Sequence, residues 1–245
     1  MNKDELMKVL KDYLESDEIM NQFNLANAPL LEAERENLHK EETNWQSFVL
    51  SSLMKSPIIR REVSLFYHWQ VMGLEPVEEV YRKFCSKENW VGKDKNWCMK
   101  KGRCWNKKKA ELDAVLKDRD GNWLAIFEYE DDYNNCCQEL CRMLKVVRSL
   151  KNQQSAHQAP VLCLFYWLPC KPFEKFQESR ENLEMYKEFV LDNFYDDFAG
   201  TRFVFVLQSG LDEPPYAITK TRVVSDEKNF RNLKNVIKEE FEPVA

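Results

Sequence analysis

The chain has 245 residues, of which 44% are hydrophobic, 31% charged and 13% aromatic, and this composition is typical of one globular domain rather than of a disordered protein. No apolar run approaches the roughly 20 residues that cross a bilayer, and the charged start MNKDELMKVLKDYLESDE lacks the apolar region of a secretory signal, so we expect a cytoplasmic protein with no membrane partner. The net charge of −5 differs from the basic balance of most dedicated nucleic-acid binders.

The N-terminal third is predicted to be mostly helical. Helical segments are expected at residues 3–20, 30–55, 57–69 and 76–88. In the first segment the apolar residues Leu6, Leu10 and Leu14 share one side. His68 belongs to the third segment and is expected to be a core histidine. We predict a helical extension over residues 1–40 and a domain over residues 41–245, joined in a single compact molecule.

A basic stretch occupies residues 92–109, which contain eight Lys or Arg residues and one Asp. Tryptophans are interleaved with these cations, and phosphate pairing combined with aromatic stacking suits nucleic acid. A solvated basic loop anchored by its tryptophans explains the pattern equally well. The candidate nucleic-acid-binding residues are Lys100, Lys101, Arg103, Trp105, Lys107 and Lys108.

The eight cysteines do not form a recognisable zinc motif. Cys98 and Cys104 are spaced more widely than zinc-ligand pairs usually are, and Cys136, Cys137 and Cys141 contain no CxxC pair. Free thiols in a reducing compartment are expected, and a zinc-stabilised protein is the weakest of the alternatives.

From residue 110 onward strands and helices alternate. Strands are predicted in LDAVLKD and NWLAIFEYE, joined by a hairpin turn at Asp118–Asn122, and then in VLCLFYW and TRFVFVLQS. Helices are predicted at residues 133–151, 174–197 and 226–241. This order predicts an α/β (α+β) protein with a mixed central sheet flanked by helices.

Acidic residues are grouped on the predicted hairpin. Because side chains alternate along a strand, Glu111 and Asp113 project to one side, and Glu128 and Glu130 share a face of the next strand. If the hairpin pairs, Asp113 lies near both glutamates, and such a trio requires shared protons or a cation such as Mg²⁺. The alternative is a solvated strand face whose acids pair with nearby Lys or Arg.

This pattern resembles the PD-(D/E)XK nuclease superfamily, which has the restriction-endonuclease-like fold. Asp113 matches the Asp at the start of a strand, Glu128 matches the Glu at the end of the next apolar strand, and Glu139 with Arg142 matches an acidic and basic pair on the following helix. The resemblance covers residues 110–168. It implies a nuclease, a hydrolase that cuts the phosphodiester bonds of DNA or RNA, with Mg²⁺ or Mn²⁺ held by Asp113, Glu128 and Glu130. It also implies a possible homodimer, since many nucleases that cut both strands are dimeric.

One position departs from the superfamily, because Glu130 stands where a Lys is usual. A Lys there can orient water and offset phosphate charge, whereas a Glu can ligate metal or act as a general base. Lys109 or Lys145 is a candidate to supply the missing cation. Alternatively, the chain is a catalytically inactive module that binds nucleic acid or protein.

A further acid is expected from a helix that precedes the sheet. Glu62 is the candidate, and Glu41 and Glu42 compete with it. The first strand of the superfamily fold is expected within residues 90–106.

Overall fold

The structure, a computed structural model, describes residues 2–22, 50, 54, 57–77, 107–130, 136–153, 160–168, 173–188, 194, 196–198, 201–210, 218–225 and 231–242. The helices are α1 (Lys3–Leu14), α2 (Pro57–Glu62), α3 (Cys136–Gln153), α4 (Phe173–Glu188) and α5 (Arg231–Val236), which continues as a π-helical turn (Ile237–Phe241). The strands are β1 (Val63–Met72), β2 (Lys109–Asp118), β3 (Trp123–Glu130), β4 (Val161–Trp167), β5 (Arg202–Gly210) and β6 (Ile218–Ser225). Within these ranges, none of the helices has the length and apolar character needed to span a membrane.

The six strands form one mixed sheet in the order β1-β2-β3-β4-β5-β6. Strands β1, β2 and β3 are antiparallel neighbours, β3, β4 and β5 run parallel, and β6 returns antiparallel to β5. Parallel neighbours need a crossover connection, and α3 and α4 lie in the two crossovers of this sheet. The predicted α/β class with a mixed sheet and helices is confirmed.

Apolar side chains cover both faces of the sheet. On one face Ile126, Leu164 and Phe205 pack with residues of α3 and α4, and we call this cluster the α3 core. On the other face Phe127, Phe165 and Val206 pack with residues of α1, and we call this cluster the α1 core. Alternation along each strand explains the division, because consecutive residues point to opposite faces.

Helix α1 is an integral part of the second core. Its Leu6, Leu10 and Leu14 are buried there, and Glu15, which follows the helix, accepts a 2.9 Å hydrogen bond from the backbone N–H of Val223 in β6. The described part of the predicted N-terminal extension therefore packs directly on the sheet. Its amphipathic helix is confirmed, although it is interrupted after Leu14, and residues 17–22 are again helical.

The predicted helix over residues 57–69 is wrong beyond Glu62. The sequence VSLFYHWQVM forms β1, because its β-branched and aromatic residues favour extended backbone over helix. His68 is consequently a strand residue with an exposed side chain, not a core histidine in a helix. Strand β1 pairs with β2 on the side away from β3, and residues 90–106, where the first strand of the superfamily fold was expected, lie outside the described residues.

The other predictions are confirmed to differing extents. The hairpin strands, β4, β5 and the helix after the hairpin lie where they were expected. The final helix begins at Arg231. Strand β6 was not predicted, because the polar residues of ITKTRVVS, which are typical of an edge strand, weaken the apolar pattern that indicates a strand. The predicted segments 30–55 and 76–88 lie almost wholly outside the described residues.

The turn of the β2–β3 hairpin is organised by Asp118. Its carboxylate accepts hydrogen bonds from the backbone N–H groups of Asp120 (2.9 Å) and Asn122 (2.8 Å) and from the side-chain amide of Asn122 (2.9 Å). Slight burial raises the pKa of Asp118, but these hydrogen bonds outweigh it and hold the pKa below its usual value. Gly121 completes the turn with a φ of +84°, a conformation that favours glycine.

We expect Asp118→Ala to lower the free energy of unfolding by about 1 kcal/mol, the usual cost of losing a side chain that caps backbone N–H groups. Since the pKa is lower in the folded than in the unfolded protein, the contribution is present above the unfolded pKa and is lost as the pH falls through the folded pKa. Urea unfolding of wild type and variant at pH 7 and pH 3 measures this, with the exposed Asp120→Ala as control. A stability difference that is as large at pH 3 as at pH 7 would contradict the assignment.

Candidate active site

Asp113 lies where the regular pairing of β2 and β3 stops. The ladder between these strands ends at the pair Ala114 and Phe127. Beyond it, Oδ2 of Asp113 accepts a 2.9 Å hydrogen bond from the backbone N–H of Tyr129, so a side chain replaces the next ladder contact. The strands therefore diverge at Asp113 and leave its half-buried carboxylate at the opening between them.

Strand β2 also loses its alternation at this residue. Leu112 and Val115 both belong to the α3 core, although residues three positions apart should face opposite sides of a strand. Ala114 belongs to the α1 core, as expected for a neighbour of Val115. A local change of twist beside Asp113 is typical of strands that direct a side chain into a site.

Glu128 carries a carboxylate into the interior. Its side chain is fully buried near the C-terminal end of β3, where Glu128 pairs with Leu164 of β4. Nη1 of Arg142, from α3, lies 3.8 Å from its Oε2, and the Arg142 side chain is 28% exposed. An ionised carboxylate this deep requires compensation, and the guanidinium supplies part of it.

The two carboxyl groups interact with each other. Burial raises the pKa of Asp113, and the Tyr129 N–H, the positive charge of Arg142, the nearby Glu128 carboxyl group and His68 each offset part of that rise. Two carboxyl groups at neighbouring positions are stabilised by a shared proton or by a cation that takes its place. Asp113 and Glu128 are the residues immediately beyond the last ladder pair of the two strands, Ala114 and Phe127.

Cations line the same end of the sheet. Lys145, one helical turn after Arg142 on α3, is buried, and its Nζ donates a 2.9 Å hydrogen bond to the backbone carbonyl of Lys107. Lys107, Lys108 and Lys109 are exposed immediately before and at the start of β2. Lys145 is thus held near the first residues of β2, whereas Lys109 extends into solvent.

The remaining predicted site residues are distributed as follows. Glu130 lies at the end of β3 in register with Tyr166, and Glu139 lies on α3, but the side chains of both lie outside the described part of the chain. Lys100, Lys101, Arg103 and Trp105 also lie outside it, as do Cys98, Cys104, Glu41 and Glu42.

Two predicted acids lie away from the buried pair. Glu62 ends α2 and is exposed beside Val63, whose partner in β2 is Asp118. Because a strand rises about 3.3 Å per residue, Glu62 lies roughly 17 Å from Asp113 along β2, at the opposite end of the strand. Glu111 is exposed on β2, with its Oε1 4.0 Å from Nδ1 of His68.

Sequence patterns did not identify His68 as a neighbour of the site. The β1–β2 ladder pairs Tyr67 with Ala114 and Trp69 with Leu112, and it omits the pair between them, His68 and Asp113. His68 has a φ of +46°, the left-handed conformation that non-glycine residues rarely adopt. The signal available in the sequence was the aromatic and β-branched character of VSLFYHWQVM, which indicates a strand.

We expect His68→Gly to be more stable than His68→Ala by about 1 kcal/mol, because glycine adopts a positive φ without the clash that other residues incur. At an ordinary strand position the order is reversed, since glycine loses more backbone entropy on folding. Chemical denaturation of both variants, alongside Ser64→Gly and Ser64→Ala at an exposed position of the same strand, measures the difference. Equal preference for alanine at both positions would contradict the left-handed conformation.

The donors present suit a hard divalent cation. Within the described residues, no three His, Cys, Asp or Glu side chains are grouped closely enough to form a metal site, and the Glu130 side chain is not among them. Mg²⁺ is commonly bound through only one or two carboxylates, with water completing the coordination. Asp113 and Glu128 offer two carboxyl groups at neighbouring positions of β2 and β3, so they fit this chemistry, and Glu130 lies two residues farther along β3.

Comparison of the chain with protein-family models, with curated proteins and with solved structures gave no match.

Proposed function

We propose that this chain is a magnesium-dependent nuclease-like protein, with a restriction-endonuclease-like core and an N-terminal helical extension, that hydrolyses the phosphodiester bonds of DNA or RNA. The observation that carries the proposal is the placement of Asp113 and Glu128 immediately beyond the last ladder pair of β2 and β3, with the Tyr129 N–H 2.9 Å from Asp113 and Arg142 3.8 Å from the buried Glu128. The order of an Asp strand, a hairpin, a Glu strand and a helix supports it as well. Mn²⁺ would substitute for Mg²⁺, because both accept oxygen ligands.

Each residue has a distinct role in this proposal. Asp113, Glu128 and Glu130 would hold the cation, which supplies charge stabilisation and positions the attacking water against a phosphate. The Tyr129 N–H fixes the orientation of the Asp113 carboxylate through its 2.9 Å hydrogen bond. Arg142 lowers the cost of keeping the buried Glu128 ionised, at a distance of 3.8 Å.

Substrate binding would draw on the basic residues at the same end of the sheet. Lys107, Lys108 and Lys109 are three consecutive exposed cations a few residues before Asp113. Positive charge so close to the carboxylates would counter the repulsion between a phosphate backbone and the acidic site. Lys145 cannot reach solvent freely, because it is buried against the Lys107 carbonyl, and so it positions this basic segment.

A catalytically inactive module is the second candidate. Arg142 already lies 3.8 Å from Glu128, so a guanidinium provides part of the compensation that a metal ion would provide. Glu130 in place of the usual Lys favours the same alternative. Such a module would bind nucleic acid or protein without any requirement for a divalent ion.

Incubation with several nucleic acids under several metal conditions distinguishes the nuclease from the inactive module. The purified chain is incubated with single- and double-stranded DNA and RNA in Mg²⁺, in Mn²⁺ or in EDTA, and metal binding is measured by calorimetry. The nuclease proposal predicts metal binding, and cleavage that requires the metal. Nucleic-acid binding that survives chelation, without cleavage, would favour the inactive module, and absence of both metal binding and cleavage would contradict the proposed site.

A further inference from the structure

A lysine near the end of β2 lies among three aromatic rings. Nζ of Lys117 is 4.3 Å from the centroid of the Trp69 ring and 4.6 Å from that of the Trp123 ring. The centroid of the Phe66 ring is 5.7 Å away, so all three rings are within the roughly 6 Å over which an aromatic face attracts a cation. The Phe66 and Trp69 rings, with centroids 4.8 Å apart, are inclined to each other by 56°. We call these three rings the aromatic cage.

The break in the β1–β2 ladder brings two of these rings to one side of the sheet. In a regular strand Phe66 and Trp69, three residues apart, would face opposite sides. Their partners in β2 are Val115 and Leu112, however, and both of these partners belong to the α3 core. Because directly paired residues project to the same face, both rings are on the side of the α3 core. Trp123, the first residue of β3, packs against the same core, so the cage is fixed before any ligand enters.

The ammonium group of Lys117 has no acidic partner among the described residues. Within that part of the chain its Nζ contacts the three rings, and no hydrogen bond or ion pair joins it to a carboxylate or carbonyl group. Burial lowers the pKa of Lys117, because the rings do not fully replace the water that the ammonium loses. An ammonium is strongly hydrated. A cage without an oxygen acceptor therefore suits a cation that carries methyl groups in place of N–H donors better than it suits a lysine.

We propose that the aromatic cage is a binding site for a quaternary ammonium group, of the kind carried by choline or by a trimethylated lysine side chain, and that Lys117 occupies the cage when no ligand is bound. Stacked and angled aromatic faces are a general means of binding such groups. The Lys117 side chain is half-buried on a flexible stem, so it can move into solvent as a ligand enters. Lys117 lies roughly 13 Å along β2 from Asp113, and the inference is independent of the proposed nuclease function.

Calorimetric titration of the full chain with choline chloride and with tetramethylammonium chloride, at constant ionic strength, tests the proposal. We expect saturable binding of both salts in the millimolar range. The uncharged isostere of choline, in which a tert-butyl group replaces the trimethylammonium group, should not bind, because it lacks the charge that the ring faces attract. Free trimethyllysine is the third probe. Tighter binding of trimethyllysine than of choline identifies a modified protein side chain as the source of the group, and the reverse order identifies a small molecule.

Substitutions at the cage should change the affinity for choline in opposite directions. Trp69→Leu should weaken binding at least about tenfold, and Trp69→Phe, which keeps a less effective ring, should lie between Trp69→Leu and the wild type. Lys117→Ser removes the competing ammonium and should strengthen binding about tenfold. Tyr67→Leu is the matched control, because the partner of Tyr67, Ala114, belongs to the α1 core on the other face, and it should bind choline as the wild type does.

Three results would overturn the proposal. Absence of saturable binding to the wild type, even if Lys117→Ser binds, would mean that the rings serve only to hold Lys117. Equal binding of choline and its uncharged isostere would reduce the interaction to apolar contact. Equal affinity of the wild type, Trp69→Leu and Trp69→Phe would place the ligand elsewhere. Nucleic-acid cleavage by the wild type is unaffected by any of these results, so the cage and the nuclease proposal fail separately.

Discussion

Replacement of Asp113 by Asn is expected to reduce metal-dependent cleavage about 10³-fold, while the protein remains folded. The asparagine side-chain oxygen can still accept the 2.9 Å hydrogen bond that the backbone N–H of Tyr129 donates, so this N–H keeps its partner and the local structure of β3 is retained. The lost negative charge, however, is half of the carboxyl pair that would bind the cation. Loss of charge stabilisation at a transferring phosphate has a cost of this order in other enzymes.

The stability of Asp113→Asn distinguishes a functional residue from a structural one. Burial raises the pKa of Asp113, so ionisation of this group is less favourable in the folded than in the unfolded protein. We therefore expect the free energy of unfolding, measured without metal, to change by less than about 1 kcal/mol or to increase. Asp120→Asn, at an exposed position of the same hairpin, is the matched control and should retain both activity and stability. Wild-type activity in Asp113→Asn would exclude Asp113 from the site.

The half of the fold that follows residue 110 could be predicted from sequence because its signals are local. Alternation in NWLAIFEYE, the turn residues from Asp118 to Asn122 and the apolar run VLCLFYW each specify an element without reference to distant contacts. Strands β1 and β6 were missed for the opposite reason. Both are outer strands whose pairing partners determine their conformation, and the preceding helical residues of α2 concealed the start of β1.

The candidate site was predictable only in part. Alternation placed Asp113 and Glu128 near each other on the hairpin, and in the structure they are the residues next to the last ladder pair, Ala114 and Phe127. Sequence patterns could not show that pairing ends at Ala114, that His68 adopts a positive φ or that Arg142 approaches Glu128 to 3.8 Å. These features arise from contacts between residues far apart in the chain. They also concern the places where regular structure fails, and regular patterns carry no information about such places.

The second large effect is expected on replacement of Arg142. This substitution distinguishes a structural ion pair with Glu128 from a metal site. Arg142→Met keeps an apolar stem but removes the charge 3.8 Å from the buried Glu128. Breaking a buried ion pair by removing one partner typically costs about 3–5 kcal/mol, and since Arg142 is 28% exposed we expect a loss of about 3 kcal/mol in the absence of metal. Thermal or urea unfolding in EDTA measures the loss.

A double-mutant cycle with Glu128→Gln isolates the interaction. If the loss reflects an inadequately compensated carboxylate, Arg142→Met should cost little in the Glu128→Gln background, and the two effects should be coupled by about 2 kcal/mol. Strictly additive effects would contradict the ion pair. Arg60→Met, at an exposed position of α2, controls for the loss of any arginine.

Addition of Mg²⁺ then connects this pair to the proposed function. A divalent cation at the Asp113 and Glu128 carboxyl groups would replace part of the compensation that Arg142 provided, and a ligand at 100 times its dissociation constant stabilises a folded protein by about 2.7 kcal/mol. Mg²⁺ should therefore raise the melting temperature of Arg142→Met more than that of the wild type, and it should have no effect on Glu128→Gln. If the cation and the guanidinium act on the same carboxylate, each stabilises the folded protein most when the other is absent. Equal shifts in all three proteins would place any bound Mg²⁺ somewhere other than between β2 and β3.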